Sequence, residues 1–293
     1  MQDFSPVVAA LEGFRTVRRH PRSVAAWVSL NILTFLLIAV SKVAFPNIGS
    51  SLPGVLGKFG ALFFIAIPAL LVVWIAILGA IFRQELTPDA GRMAYLRLGP
   101  NEFRLAVLGT VGALLFGLVL GAPAVALYLI LKLSAFAGPG VEGFVGFVGG
   151  LAVAMLNFWL FVRFSMAWGH TFAERRLSVF RSWELTRGHF WTLFWTYVLV
   201  FLEAVAVMVV TASVVNVLVD GQWDYVGADV GAAQRIPALI RLVLGVAIIP
   251  PALQVLLFVV VYTPIAYAYS NLALPKLAAA ADAMPGPEPA AAN

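Results

Sequence analysis

The sequence predicts an all-α fold: a polytopic integral membrane helix bundle of six transmembrane helices with short cytoplasmic interfacial helices. Three observations predict it. The 293 residues are 62% hydrophobic and 11% charged, with a mean hydropathy of +0.96, which leaves too little charge to clothe a soluble domain of this length. The apolar residues gather into six runs, 24–45, 59–82, 104–130, 143–168, 190–213 and 252–272. Each can supply the roughly 20 residues that cross a hydrocarbon core, and none reads as a barrel strand of about ten alternating residues. The third observation is that the basic residues fall mostly into alternate breaks between these runs.

Arg15, Arg18, Arg19 and Arg22 precede the first run, and Arg83, Arg92, Arg97 and Arg104 border the second break. Arg163, Arg175, Arg176, Arg181 and Arg187 border the fourth, and Lys276 follows the sixth run. These are fourteen of the 19 Lys and Arg; Lys42, Lys58, Lys132, Arg235 and Arg241 fall on the other side. The positive-inside rule puts the rich side in the cytoplasm, with both termini there, as in a bacterial inner-membrane protein. Asp220, Asp224 and Asp229 in the last outer loop agree. The net charge of +5 is thus a topology signal. Nucleic-acid binding needs a solvated basic domain, which the chain lacks, so no nucleic-acid partner is expected. The first run follows more than twenty residues and no small-x-small site follows it, so it is expected to stay as a span.

The expected organisation is a cytoplasmic amphipathic helix over 1–23, a six-span membrane domain over 24–276 and a disordered Ala/Pro-rich tail over 277–293. In the first segment, Ser5-Pro6 reads as an N-cap followed by Pro at the first helical position. Val7, Leu11 and Phe14 share one face, the four arginines surround the other, and Pro21 ends the helix. Thr87-Pro88 opens a second short helix with Met93 and Leu96 against Arg92 and Arg97, stopped by Gly99-Pro100. The third follows the fourth run. Thr171 and Glu174 read as a T-x-x-E capping box, with Leu177 and Phe180 at i, i+3 spacing, Phe172, Val179 and Trp183 beside them, and Gly188 at the left-handed end. Arg175, Arg176 and Arg181, with the four N-terminal arginines, are expected lipid-headgroup contacts. They would face the anionic inner leaflet, each contributing about 1 kcal/mol near the surface. The segment 237–249 is apolar but followed by Pro250-Pro251, and reads as a membrane-dipping or interfacial stretch, with the sixth span beginning after the break. One long kinked helix is the competing reading.

Glycines at Gly117 and Gly121, and at Gly146 and Gly150, form G-x-x-x-G pairs and read as helix-packing sites. Glu203 is the one acidic residue deep in a span, roughly 20 Å from the cytoplasmic end by helical rise. An ionised carboxylate there costs at least about 2.5 kcal/mol, so it should be protonated or partnered. Asn157, roughly 16 Å deep, and Tyr262 are the candidate partners. Arg163, nearer its end, should snorkel to the surface. With no cysteine among the 293 residues, thiolate chemistry and Cys-ligated metals are excluded. His20, His170 and His189 lack metal-ligand spacing, and no phosphate loop, nucleophile elbow or zinc-protease motif is present. No catalytic residue, metal or cofactor is assigned.

The stretch RFSMAWGHTFAERRLSVFRSWELTRGHFWTLFW, from Arg163, carries Ser182, Trp183, Leu185, Thr186, Gly188, Phe190 and Trp191 in the pattern S-W-x-L-T-x-G-x-F-W. In this it resembles the bacterial membrane-domain family named for its occurrence beside glycerophosphodiester phosphodiesterase domains, six-helix proteins with a cytoplasmic helix before the fifth span. YLRLGPNEFRL from Tyr95 is similar to alphaproteobacterial members. Gly169-His170 stands where the family often has Pro, and the 293 residues leave no room for a phosphodiesterase barrel and carry none of its metal motifs, so the resemblance implies a fold and does not license an enzymatic activity. The motif also reads as a structural elbow. Ser182 and Thr186 can bond backbone carbonyls, Gly188 allows a sharp turn, and Trp183 and Trp191 suit the headgroup depth. The expected role is a non-enzymatic membrane scaffold or accessory component of envelope or lipid physiology, with lipids, and a protein partner or second copy, as partners. The alternative is a small transporter or permease-like subunit with a cavity around Glu203.

Overall fold

Every regular element among the described residues is a helix. The computed structural model describes residues 5–44, 66–87, 92–134, 136, 138–177, 180–220 and 232–273. The helices are α1 (Pro6–Ala10), α2 (Glu12–Arg19), α3 (Pro21–Ala44), α4 (Ile67–Leu86), α5 (Pro100–Ser134), α6 (Pro139–Phe164), α7 (Met166–Glu174), α8 (Arg181–Leu185), α9 (Phe190–Val219), α10 (Ala232–Leu242) and α11 (Ile249–Leu272). Six helical runs are long and apolar enough to span a membrane: Pro21–Ile38, Ile67–Leu86, Pro100–Ser134, Pro139–Glu174, Phe190–Val219 and Ile236–Leu272. The chain is an all-α, six-helix membrane-spanning bundle with short connecting helices, and thus a multi-pass membrane protein. The 277–293 tail, Val179, Pro88 and the start of the second expected span lie outside the described residues.

The chain divides into two compact units. One comprises Ser5–Leu98 and Val198–Tyr267. Its core joins α3, α4 and α11 through Val24, Trp27, Ile77, Ile81, Val255 and Val259, with Tyr95 from the connecting turn. That turn, Arg92–Tyr95, is a single 3-10 stretch where a longer helix is expected from the sequence. Ala94 and Tyr95 have φ of 51° and 63°, a region that non-glycine residues seldom occupy. Long-range bonds hold them there: Trp27 Nε1 donates to the Ala94 carbonyl at 2.8 Å, and Arg83 donates to the carbonyls of Tyr95 and Arg97. Arg83, read from sequence as one more topology charge, is a buried clasp for this turn.

The N-terminal segment differs from the single helix expected. It breaks at Leu11 into α1 and α2, and Pro21 opens α3, the first-turn position where a missing N–H costs nothing. Val7, Leu11 and Phe14 are exposed, while Ala9, Ala10, Glu12, Gly13 and Thr16 turn inward. Gly13 makes this docking possible: a Cβ there would lie 2.7 Å from Val260 Cα and 3.1 Å from Val259 O. Thr16 donates to Glu85 on α4 at 3.0 Å, and buried Glu12 accepts from Arg15 at 3.2 Å and Arg19 at 2.5 Å.

The break expected before the sixth span is absent, and 237–249 belongs to one long helix, the competing reading. Helix runs without interruption from Ala232 to Leu272, passing through a π-helical segment, Val243–Ile248. The wider register, seen in the Ile249 N–H bonding to Leu244 O, leads into α11, whose second and third residues are Pro250 and Pro251; their missing N–H groups withdraw two donors from the ladder, yet the helix continues. Asn31 of α3 donates to the Pro251 carbonyl at 2.8 Å and to Gln254 Oε1 at 3.3 Å.

The other unit comprises Gly99–Tyr197 with the chain from Ala268. Here α5 packs along α6. A Cβ on Gly146 would meet the Leu131 side chain at 3.3 Å, and Gly149 faces Leu127, whereas Gly117, Gly121 and Gly150 face open space. Only part of the expected glycine pattern therefore packs helices within this unit. Gly169 of α7 lies against the Tyr269 ring, at 2.5 Å from a would-be Cβ, with His170 stacked on that ring at 6.3 Å.

Candidate functional site

Polar and aromatic side chains gather at the elbow between the fourth and fifth spans, all of it in the second unit. The elbow departs from the sequence reading at its start. The expected capping box at Thr171 and Glu174 does not form, because helix α7 contains both residues in its last turns and ends at Arg175, φ 55°. A capping box needs its Thr in extended backbone ahead of a helix. Burial of Met166, Ala167 and Phe172 prolongs helix beyond the fourth apolar run, and Thr171 is swallowed within it. Glu174 instead accepts from Arg181 at 3.1 Å and lies 3.4 Å from His170 Nδ1.

The motif residues then fold back on the end of α6. Ser182, fully buried, donates to the Arg163 carbonyl at 2.6 Å. Thr186 donates to the Trp183 carbonyl at 3.2 Å and accepts from Arg163 Nη1 at 3.2 Å. Gly188 takes φ +90° and turns the chain into α9. The Arg163 guanidinium lies 5.8, 5.2 and 5.4 Å from the rings of Trp159, Trp183 and Phe190, within cation–π range of all three. Trp159 and Trp183 meet edge to face at 5.1 Å, and Phe164 reaches Trp183 at 6.1 Å. Leu185 is half-buried on α8, and Trp191 is exposed.

Arg163 does not simply extend to the surface as the snorkelling expectation has it; aromatic faces and a hydroxyl hold it. Trp159 and Arg163 stand at i, i+4 on one helix, a spacing that puts side chains together, so half of the cage carried a signal in the sequence. Trp183 and Phe190 come from elements with no local relation to it.

The expected lipid-contacting arginines divide into two groups. Arg18, Arg22, Arg175 and Arg176 are exposed, as are Arg19 and Arg181, which pair with Glu12 and Glu174; half-buried Arg15 also pairs with Glu12. Of the intramembrane polar residues, Asn157 lies in the second unit, and Glu203 and Tyr262 lie in the first. Asn157 donates to the Val153 carbonyl of its own helix at 2.8 Å, and Tyr262 packs beside Phe258 at 5.7 Å in the core of the first unit. Glu203 Oε2 is buried with no hydrogen-bond partner among the described residues. No group of three or more His, Cys, Asp or Glu that could hold a metal ion occurs among the described residues. No family model, curated protein or solved structure matches the chain.

Proposed function

We propose that this multi-pass protein is a non-enzymatic scaffold or accessory component of envelope or lipid physiology, seated in a bacterial inner membrane with both ends in the cytoplasm. It would be akin to the six-helix membrane domains its S-W-x-L-T-x-G-x-F-W motif resembles. The observation that carries this reading is the construction of the elbow, where exposed Leu177, Phe180 and Trp191 adjoin exposed Arg175, Arg176 and Arg187. Apolar side chains beside arginines suit an anionic membrane surface. The exposed Val7, Leu11 and Phe14 with Arg18 and Arg22 repeat that chemistry on α1, α2 and the start of α3.

The test is mild-detergent purification from native membrane with mass spectrometry of what travels with the protein. A stoichiometric protein or lipid companion supports the scaffold; a soluble solute lost in Glu203→Gln would replace it with transport. Transport is the second reading because of one observation, the buried Glu203 Oε2 with no hydrogen-bond partner among the described residues.

A further inference from the structure

We propose that Arg163 is the centre of a binding site for a phosphate-bearing anion, supplied by the headgroup of an anionic phospholipid. The inference deepens the membrane-surface reading above and rests on the elbow facing lipid headgroups. A guanidinium carries five N–H donors. Nη1 is engaged by the Thr186 hydroxyl, and Nε is buried without a hydrogen-bond partner among the described residues. The rings of Trp159, Trp183 and Phe190 hold the cation by their faces and accept no in-plane hydrogen bond.

The nearby acids do not neutralise it. Among the described residues Glu174 pairs with Arg181, and no carboxylate forms an ion pair with Arg163. Between residues 163 and 191 stand five arginines and two glutamates. A half-buried, fixed cation with donors to spare and, among the described residues, no ion-pair partner is set to receive an anion. Phosphate oxygens match the planar fork of arginine bidentately. The neighbouring surface favours a lipid as the source. Trp191 and Trp195, one turn apart on α9, are 68% and 55% exposed and offer an apolar bed for an acyl chain, of which a free phosphate would make no use.

The aromatic contacts also predict how the site discriminates. The cage is filled by the protein's own cation, so it has no room for the quaternary ammonium of a choline headgroup, and the surrounding arginines repel one. The site should prefer phosphatidylglycerol to phosphatidylcholine.

The experiment reconstitutes the full chain in vesicles of phosphatidylglycerol and phosphatidylcholine in equal parts, then extracts it mildly for native mass spectrometry. The variants are Arg163→Lys and Arg163→Gln, with thermal melting of each to establish folding. The wild type should retain phosphatidylglycerol. Arg163→Lys, which keeps the charge but loses the fork, should lower retention about tenfold, the scale of one charge-assisted contact, and Arg163→Gln further. A parallel arm adds inorganic phosphate to delipidated protein. Protection against melting that needs Arg163, without lipid retention, would keep the phosphate chemistry and make the source a free anion. Folded Arg163→Lys and Arg163→Gln proteins that retain phosphatidylglycerol as the wild type does, with no phosphate effect, overturn the proposal. Membrane sidedness does not enter these readouts, so an elbow found on the outer face would overturn the topology reading alone.

Discussion

The Ser182 hydroxyl donates to the main-chain carbonyl of Arg163 over 2.6 Å, while the Arg163 side chain donates to Thr186 one turn further along. One residue near the end of the fourth span is thus gripped through both backbone and side chain by the segment that leads into the fifth. Replacing Ser182 by Ala removes a fully buried donor and should lower stability by about 1–2 kcal/mol, leaving the helix-end carbonyl less well satisfied. Thermal melting in detergent, with Ser182→Thr as the conservative comparison, reads this out. An unchanged midpoint in Ser182→Ala would mean the bond is incidental to the elbow.

Gly13 brings α2 onto α11 through backbone. Because a Cβ would meet Val260 Cα at 2.7 Å and Val259 O at 3.1 Å, no side-chain rotation relieves the overlap, and α2 must lift. Gly13→Ala should cost about 1–3 kcal/mol, and Gly13→Val more. Limited proteolysis of residues 5–20 should accelerate in step. A Gly13→Val protein as resistant as the wild type would show that α2 is not docked at this point.

Gly188 presents the opposite case. It has φ +90° and nothing within 4 Å of a would-be Cβ, so a substitution meets conformational strain and no clash. Gly188→Ala should cost about 1–2 kcal/mol from backbone alone, and Gly188→Asn less, since Asn tolerates left-handed backbone better. Equal losses for Ala and Asn would point to a steric origin and refute the backbone account.

Asn31 reaches the carbonyl of Pro251 at the point where the last helix leaves its π segment. Asn31→Leu should destabilise by about 1 kcal/mol, the usual scale of a polar contact between membrane helices. A double-mutant cycle with Gln254→Leu would measure the share carried by the longer Asn31–Gln254 bond, expected to be the smaller one at 3.3 Å.

Glu203→Gln should leave stability unchanged or raise it, because Glu203 Oε2 gives up no hydrogen bond among the described residues and an amide carries no risk of a buried charge. A loss above about 1 kcal/mol on melting would reveal a partner for the carboxylate. The same variant tests the transport reading through any solute flux measured in vesicles.

The six spans were legible in sequence because span length and apolarity are properties of a segment by itself. The elbow's parts were legible for the same reason: a glycine, hydroxyls and tryptophans clustered in one stretch. Errors arose where neighbouring apolar surface outweighed a local signal. The T-x-x-E pattern at Thr171 reads as a helix start, but burial of Met166 and Phe172 carries the preceding helix over it. Pro250-Pro251 reads as a break, but six residues of wider helical register lead into it and the helix continues through the prolines.

By itself the sequence determined the fold class, the number of spans, the asymmetry of basic charge and the residues from which the elbow is built. Only the tertiary structure decided which of those residues meet. Arg163 closes on Trp183, Thr186 and Phe190, Thr16 finds Glu85 across 69 positions, and Asn31 finds Pro251 across 220. Apolarity and helical period are written along the chain and survive in any isolated segment. A contact between distant residues is fixed by how the helices pack, and that depends on all of them at once.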